Sequence, residues 1–296
     1  MRVAVSGASG FIGSALVPTL EAAGHDVVRL VRGRTAGSGE LAWDPEAGTL
    51  EASGLAGIDG AVHLSGATIG RRWTKARKAE ILDSRVTTTT LLAATLASLD
   101  PRPSVLVCAG PVGIYGDRGD EILTEESELG SGFLAGVGTA WERACEPARA
   151  AGIRVVNLRA GIVLSHEGGA LGRMLTPFRL GVGGRIGSGK QWWSWIAIDD
   201  LVRAIRFALE GDLEGPVNVV SPNPVTNAQF TKAFGKALGR PTVFPFPAFA
   251  AKTVFGEMAE EALLTGQRTL PARLLDAGFE FDYPELGTAL QRALEK

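Results

Sequence analysis

Short runs of β-branched and aliphatic residues recur along the first half of the chain, each bounded by glycine or polar residues. They lie at 2–6, 26–31, 60–64, 104–109 and 153–158. Continuous apolar runs of this length are typical of strands buried on both faces of a parallel sheet. Helix-length segments separate them at 11–23, 74–99 and 133–151. This alternation predicts an α/β fold built on a doubly wound parallel sheet.

The pattern changes after the fifth run. A glycine-rich stretch at 168–189 precedes a tryptophan-rich, strand-like run at 192–198. A helix is then expected to begin at Asp199 or Asp200, because acidic side chains stabilise a helix N-terminus. A short strand at 217–220 and helices rich in Phe, Ala and Leu follow.

These two patterns predict two closely packed units. The first is a sheet domain over 1–215, and the second is a smaller C-terminal α/β lobe over 216–296, to which residues from about 165 to 198 contribute. With 296 residues, 45% of them hydrophobic, the chain can bury a sizeable core without disulfides.

The charge balance bears on the class of partner. Thirty Lys and Arg against 32 Asp and Glu give a net charge of −2, which predicts binding of neither nucleic acid nor an anionic membrane surface. No apolar run reaches the roughly 18 residues of a membrane span, and the first strand begins at Arg2, which leaves no room for a signal peptide. We therefore expect a cytoplasmic protein with a small-molecule partner, in an oligomeric state that the sequence does not specify.

Neither cysteine nor histidine shows the spacing of a metal site. Cys108 lies in a strand-like run and Cys145 in a helix-like stretch, and the three histidines are scattered along the chain. This pattern predicts no metal and suits a reducing compartment.

A glycine-rich loop, SGASGFIG, directly follows the first strand and opens the first helix. Glycines in this context permit a tight turn and the close approach of backbone to a pyrophosphate, which the helix N-terminus stabilises. The spacing predicts a Rossmann-type dinucleotide site, although a glycine-rich turn without a ligand would show the same pattern. The predicted cofactor contacts in this loop are Gly7, Ser9, Gly10, Phe11, Ile12 and Gly13.

Arg32, just after the second predicted strand, bears on the choice of cofactor. NAD-binding domains usually place an acidic residue there to bind the ribose 2′-hydroxyl, whereas a guanidinium suits the 2′-phosphate of NADP. We predict NADP(H), with Arg34 as a weaker second candidate. A solvated arginine at a strand tip is the alternative interpretation.

With these motifs placed, the chain resembles the extended short-chain dehydrogenase/reductases, the superfamily of nucleotide-sugar epimerases. It is most similar to their atypical epimerase-like branch, whose members are often labelled cell-division inhibitors. The similarity rests on SGASGFIG (6–13), HLSGA (63–67), DSRVTTTTLL (83–92), YGDRGDEILTEES (115–127), GSGKQWWSWIAIDDLVRAI (187–205), NPVTNAQF (223–230) and GEMAEEALLTGQRTLPARLLDAGF (256–279).

The resemblance implies further cofactor contacts. After the third strand, where the family lays adenosine and pyrophosphate, stand Leu64, Ser65, Gly66 and Ala67. Arg85 stands where extended members carry an Asn on the cofactor side. Arg159 and Ile162 follow the fifth strand, at positions that flank the nicotinamide in the family. Simple core packing would explain Leu64 and Ile162 equally well.

The resemblance also implies a catalytic Tyr with a Lys four residues later, since the ammonium lowers the tyrosine pKa. The chain has two tyrosines, Tyr115 and Tyr283, and glycines stand four residues after both. The positions of this Tyr and Lys fall on Leu134 and Gly138. The family also uses a Ser or Thr that polarises the substrate oxygen, and its position falls near Gly110. Tyr115 is then the one hydroxyl that this region offers to a substrate, and a packed tyrosine is its alternative.

The tryptophan-rich run stands where the family edges its substrate cleft. Strand alternation would put Trp193 and Trp195 on one side, where their rings could stack on a substrate, and Gln191 lies beside them. Packing between the lobes is the alternative for these residues.

Two functions remain open at this point. One is an NADP(H)-dependent oxidoreductase or epimerase-like enzyme that acts on a small hydroxyl or carbonyl metabolite, with nucleotide sugars among the candidates. The other is a catalytically silent NADP(H)-binding regulatory or interaction protein.

Overall fold

The computed structural model describes residues 1–33 and 37–295. In these ranges the strands are β1 (Arg2–Ser6), β2 (Asp26–Arg32), β3 (Glu40–Asp44), β4 (Thr49–Leu50), β5 (Gly60–His63), β6 (Val105–Cys108), β7 (Ile122–Leu123), β8 (Arg154–Ala160), β9 (Ile162–Leu164), β10 (Trp192–Trp193), β11 (Trp195–Ala197), β12 (Gly215–Val219), β13 (Val225–Thr226) and β14 (Arg268–Thr269). The helices are α1 (Gly13–Ala22), α2 (Lys75–Ala97), α3 (Phe133–Arg143), α4 (Glu146–Ala150), α5 (Gly169–Arg179), α6 (Ile198–Glu210), α7 (Asn227–Leu238), α8 (Ala248–Phe255), α9 (Glu257–Ala262), α10 (Ala272–Asp276) and α11 (Leu286–Leu294).

One large sheet organises the molecule, with strand order β12-β8-β6-β5-β1-β2-β3-β4. All of its neighbouring strands are parallel except β3 and β4. The chain runs outward from β1 through β2 and β3, then returns to β5 on the other side of β1. This reversal opens a crevice at the carboxyl ends of β1 and β5. The predicted doubly wound parallel sheet is confirmed.

Both faces of the sheet are covered, as its apolar strands require. Along β1, Val3 and Val5 pack in one core cluster with α1 and α6. Ala4, between them, points to the other face and packs in a second cluster with α2 and α3.

The central sheet and its helices differ from the sequence-based elements in the following ways. The sheet includes β3 and β4, which the hydrophobic pattern did not predict. The segment 133–151 forms two helices, α3 and α4, rather than one. Strand β12 pairs with β8, so the predicted boundary at 215/216 falls within an edge strand of the central sheet. The division of the chain into two units otherwise stays a prediction.

A third apolar cluster lies beyond the sheet, where α5, α7 and α11 pack around Trp193, Trp195, Phe230 and Phe234. These helices belong to the segments that the sequence predicts for the C-terminal lobe. No helix of the described ranges is long and apolar enough to cross a membrane.

Candidate functional site

The glycine loop forms a cradle at the carboxyl end of β1. Gly7 has φ +71°, and a Cβ on it would lie 2.9 Å from the carbonyl carbon of Leu64. A Cβ on Gly13 would lie 2.2 Å from the carbonyl oxygen of Gly7. The amide of Gly10 closes the turn by donating to that same oxygen at 2.9 Å. Glycine is therefore required at positions 7 and 13 for steric reasons.

The cradle presents open amide groups. No side chain caps the N-terminus of α1. In the described ranges, the backbone N–H groups of Phe11, Ile12 and Gly13 donate to no protein acceptor. Ser9 beside them is exposed. Amides that are free at a helix N-terminus are suited to bind an anion such as a pyrophosphate.

Phe11 braces the loop from outside. A Cβ on Gly168 would lie 2.7 Å from the Phe11 ring, and one on Gly169 would lie 2.9 Å from it. The two glycines thus let the start of α5 approach the Phe11 ring closely.

Arg32 ends β2 at the same edge of the sheet, and its side chain is exposed. It forms no ion pair with any residue of 1–33 or 37–295. Its guanidinium is therefore available to an anionic ligand. The second candidate, Arg34, lies outside the described residues.

The loop after β5 lies against Arg85. The Leu64 amide donates to the Ser6 carbonyl at 3.1 Å, Arg85 Nη1 donates to the Ala67 carbonyl at 3.0 Å, and Ser65 is buried. A Cβ on Gly66 would lie 3.1 Å from the guanidinium carbon of Arg85. The structure thus brings Leu64, Ser65, Gly66, Ala67 and Arg85 together beside the glycine cradle.

Arg85 itself is half-buried. Its guanidinium lies 4.7 Å from the centre of the Trp141 ring, and it forms no ion pair within the described ranges. Burial and the charge of Arg77 lower the pKa of Arg85 to about 10, so it remains a cation at neutral pH.

His63, for which the sequence predicts no role, lies at the carboxyl end of β5 beneath the crevice. His63 is fully buried, and its Nδ1 lies 2.6 Å from Ser6 Oγ and its Nε2 3.2 Å from Thr88 Oγ1. Because Thr88 donates its proton to the Ser84 carbonyl at 2.6 Å, we assign the tautomer that is protonated at Nε2. Burial, with the charges of Arg32 and Arg85, lowers the pKa of His63 to about 3. His63 is a neutral structural link between β1, β5 and α2.

Arg159 does not reach the crevice as predicted. Its side chain is buried, and Nε and Nη2 donate to the two carboxylate oxygens of Glu142 at 2.8 and 3.0 Å. Burial disfavours its charge, but the hydrogen bonds and charge of Glu142 outweigh this and hold the pKa of Arg159 above its usual value. Ile162 remains half-buried at the predicted place. The sequence could not show that Arg159 is neutralised, because Glu142 lies on α3.

The structure also corrects the catalytic role predicted for Tyr115. Its side chain is 0% exposed, its hydroxyl donates to Asn218 Oδ1 at 2.8 Å, and it accepts from Arg159 Nη1 at 2.8 Å. Burial raises the pKa of Tyr115. This hydroxyl is buried, takes part in two hydrogen bonds and is harder to ionise than a free tyrosine. It therefore cannot exchange a proton with a substrate.

The positions that align with the usual dyad are apolar. Leu134 packs in a cluster with Trp73, Ile81 and Met258. A Cβ on Gly138 would lie 3.0 Å from Ile114, which leaves no open space for a longer side chain. Neither position presents an ionisable group to the crevice.

A carboxylate that sequence analysis missed caps α3. Glu261, on α9, accepts from the amides of Phe133 at 2.9 Å and Leu134 at 2.8 Å. The interaction ties the C-terminal segment to the helix that carries the dyad in related enzymes. Its sequence separation of more than 120 residues gives no local signal.

The tryptophan-rich run is broken at Ser194. Trp192 and Trp193 pair with β13, whereas Trp195 pairs with β9, so strand alternation does not hold across the break. Trp193 and Trp195 are buried in the third apolar cluster, which corrects their predicted place in the cleft.

Gln191 and Trp192 instead line an open concavity of about 250 Å³, with Asp117, Asp120 and Lys190 on its walls. The Trp192 indole donates to Asp120 Oδ1 at 2.7 Å. The Gln191 amide donates to the carbonyls of Ile186 and Leu263 at 3.1 and 2.8 Å. Gln191 therefore lines a concavity with Trp192 rather than with Trp193 or Trp195, and its contact with a substrate stays a prediction.

Among residues 1–33 and 37–295, no group of three or more His, Cys, Asp or Glu side chains could hold a metal ion. The site therefore consists of a glycine-rich cradle with exposed Arg32 and half-buried Arg85 beside it, and it has no ionisable group at positions 134 and 138.

Comparison with known proteins agrees with this geometry. The sequence model of the NAD dependent epimerase/dehydratase family matches residues 3–220, and that of a domain of unknown function matches residues 246–293. The epimerase family protein Mb2239 of Mycobacterium bovis is 47% identical over 290 residues, which cover 97% of this chain and 96% of that protein. Human epimerase family protein SDR39U1 is 41% identical over 298 residues, which cover 98% of this chain and 99% of that protein.

Solved structures give the same result. A crystal structure of human SDR39U1 (isoform 2) with NADPH has a TM-score of 0.91 and 40% identity, and covers 99% of both chains. A nucleoside-diphosphate sugar epimerase from Corynebacterium glutamicum has a TM-score of 0.83 and 39% identity, and covers 99% of this chain and 58% of that one. The resemblance inferred from the motifs is confirmed, and the chain belongs to the NAD-dependent epimerase/dehydratase family.

Proposed function

We propose that the protein binds NADP(H) in the crevice beside β1. The observation that carries the proposal is the cradle, in which the amides of Phe11, Ile12 and Gly13 donate to no acceptor of the described ranges, and in which a Cβ on Gly7 or Gly13 would collide with the neighbouring backbone. Such a cradle fits a pyrophosphate. The human relative that is 40% identical was crystallised with NADPH, which supports the same cofactor here.

Arg32 would select NADP(H) over NAD(H). Its exposed guanidinium, with no carboxylate partner in the described ranges, can bind a ribose 2′-phosphate through charge-assisted hydrogen bonds. On this proposal, Leu64 to Ala67 contact the adenosine side of the cofactor, and Ile162 lies at its nicotinamide end. Free, buried Cys108 and Cys145 suit the reducing cytoplasm, where we place the protein.

We further propose that the protein acts on a small hydroxyl or carbonyl metabolite, with nucleotide sugars among the candidates. Bound NADP(H) would supply or accept the hydride. The chain would bind and orient the cofactor through the cradle, and the concavity lined by Gln191 and Trp192 would contact the substrate. Proton transfer would use a group other than Tyr115, which is sealed in the core.

One set of observations favours a second candidate, an NADP(H)-binding regulatory protein without a reaction. Leu134 and Gly138 are packed against apolar neighbours, and Tyr115 is inaccessible. The loss of an acid/base group and its activating ammonium removes a factor usually worth 10²–10⁴ in rate.

The cofactor proposal is tested by fluorescence titration with NADPH and NADH. We expect NADPH to bind about 10- to 100-fold more tightly, since pairing a 2′-phosphate contributes roughly 1.5–3 kcal/mol. Arg32→Ala should abolish most of this preference. Arg29→Ala, on the same strand but paired with Glu21, should keep it. Equal dissociation constants for the two cofactors in the unmodified protein would refute the role of Arg32.

The two candidate functions are separated by turnover. Nucleotide sugars and small carbonyl compounds are screened with NADPH, and absorbance and product analysis report any reaction. Binding without turnover of any compound favours the silent protein, and turnover favours the enzyme. Rapid epimerisation of a common nucleotide sugar would contradict the conclusion that the usual proton transfer is lost.

A further inference from the structure

The net charge of −2 conceals an uneven distribution. The segments 168–198 and 215–256 contain eight Arg or Lys residues and no Asp or Glu. In the described ranges only one of these eight, Lys252, forms an ion pair, with Glu260 at 2.8 Å. Net charge alone predicts no attraction to an anionic surface, but these two segments concentrate cations without acids.

The two segments meet on one side of the molecule. Ile186 and Phe246 form a parallel bridge. The Phe246 amide donates to the Arg185 carbonyl at 2.8 Å, and the Gly187 amide donates to the Phe246 carbonyl at 2.9 Å. A Cβ on Gly181 would lie 3.9 Å from Pro241. Residues 180–187 and 241–255 therefore form one continuous surface.

Large apolar side chains protrude from this surface. The described ranges expose ten large hydrophobic residues, and six of them lie here: Leu180, Val182, Val243, Phe244, Phe249 and Val254. Leu180, Val243 and Phe249 are each at least 70% exposed. We name these six residues, with the adjacent Arg179, Arg185, Arg240 and Lys252, the basic apolar face. Such a concentration of exposed apolar groups marks an interaction surface.

The combination of groups indicates the kind of partner. Aliphatic and aromatic side chains on loops and a short helix can enter the boundary between lipid headgroups and acyl chains, while Arg and Lys bind the phosphates. A nucleic acid would use the cations but would leave most of the apolar side chains in water. We propose that the basic apolar face binds the surface of a membrane that contains anionic phospholipids.

This inference goes beyond the proposed function and does not depend on it. The face is joined to the segment between β5 and α2, because Arg72 of that segment donates to the Thr253 carbonyl of α8 at 2.9 Å.

The test is flotation of the full-length protein with vesicles of phosphatidylcholine alone or mixed with phosphatidylglycerol. We expect binding to the anionic vesicles only, with a loss of affinity as salt is raised. Arg179→Ser together with Arg240→Ser should weaken binding by about 25-fold, since each cation near such a surface contributes roughly fivefold. Phe244→Ser together with Phe249→Ser should weaken it at least tenfold.

Matched controls keep the test specific. Leu275→Ser removes a 47%-exposed leucine from α10, outside the face, and should bind vesicles as the unmodified protein does. An unchanged midpoint of urea denaturation in every variant shows that the fold is intact. The proposal would be overturned if the protein did not float with anionic vesicles, or if it bound neutral vesicles as well as anionic ones. It would also be overturned if both double variants bound anionic vesicles as tightly as the unmodified protein does. Self-association in sedimentation velocity that the Phe variants abolish, without vesicle binding, would instead identify a contact between copies of the chain.

Discussion

Replacing Tyr115 with Phe distinguishes a structural from a catalytic tyrosine. The substitution removes one oxygen that accepts from Arg159 Nη1 and donates to Asn218 Oδ1, both at 2.8 Å. Both partners would remain buried, and each buried polar group left without a partner costs about 1–3 kcal/mol. Because Glu142 still neutralises Arg159, we expect a loss of about 2–4 kcal/mol in the free energy of unfolding.

The measurement is urea denaturation at pH 7, followed by tryptophan fluorescence. Tyr283→Phe is the matched control, because the Tyr283 side chain is half-buried and its hydroxyl has no hydrogen-bond partner in the described ranges. That variant should change stability by less than about 0.5 kcal/mol. The structural reading fails if Tyr115→Phe is as stable as the unmodified protein, or if it loses turnover at least tenfold with its stability intact.

Other predictions concern the cradle, His63 and the α3 cap. Gly13→Ala should weaken NADPH binding more than tenfold in a fluorescence titration, because its Cβ would collide with the Gly7 carbonyl. Its control, Gly136→Ala, lies in an open helical position and should raise the free energy of unfolding by about 0.5–1 kcal/mol in urea denaturation. His63 has a folded pKa of about 3 against 6.5 unfolded, so only the unfolded chain gains its proton between these values. Stability should fall by at most about 5 kcal/mol as pH drops from 6.5 to 3, and denaturation of His63→Gln should show a smaller pH dependence. Glu261→Ala should cost about 1–2 kcal/mol in the same assay, and an unchanged stability would show that the cap is dispensable.

The central sheet could be predicted because its strands are buried on both faces and therefore read as short apolar runs. Strand β3 was missed for the converse reason: four of its five residues, Glu40 to Asp44, are at least partly exposed, and it begins and ends with an acid. Helices α3 and α4 were merged because the apolar spacing continues across their junction, where Pro147 begins a new helical turn. Hydrophobic periodicity reports burial and does not register such a break.

The cofactor cradle was predictable because Gly7, Gly10 and Gly13 lie close together in sequence and their spacing carries the geometry. The buried contacts of Tyr115 and Arg159 could not be predicted. They depend on Glu142 and Asn218, which come close to them only in the folded protein. The break at Ser194 has a similar cause. Its hydroxyl donates to the Gln267 carbonyl and accepts from the Thr269 amide, more than 70 residues away.

Strand β12 has a practical consequence for work on fragments of the chain. It pairs with β8 over five residues and forms the last strand on that side of the central sheet. A fragment that ends at residue 215 would leave β8 as an edge, with Val155, Val156 and Leu158 beside unpaired backbone groups. Edges of this kind recruit strands from other molecules and promote aggregation. Insolubility of the isolated first unit would therefore report an uncovered sheet edge rather than a failure of the nucleotide-binding fold.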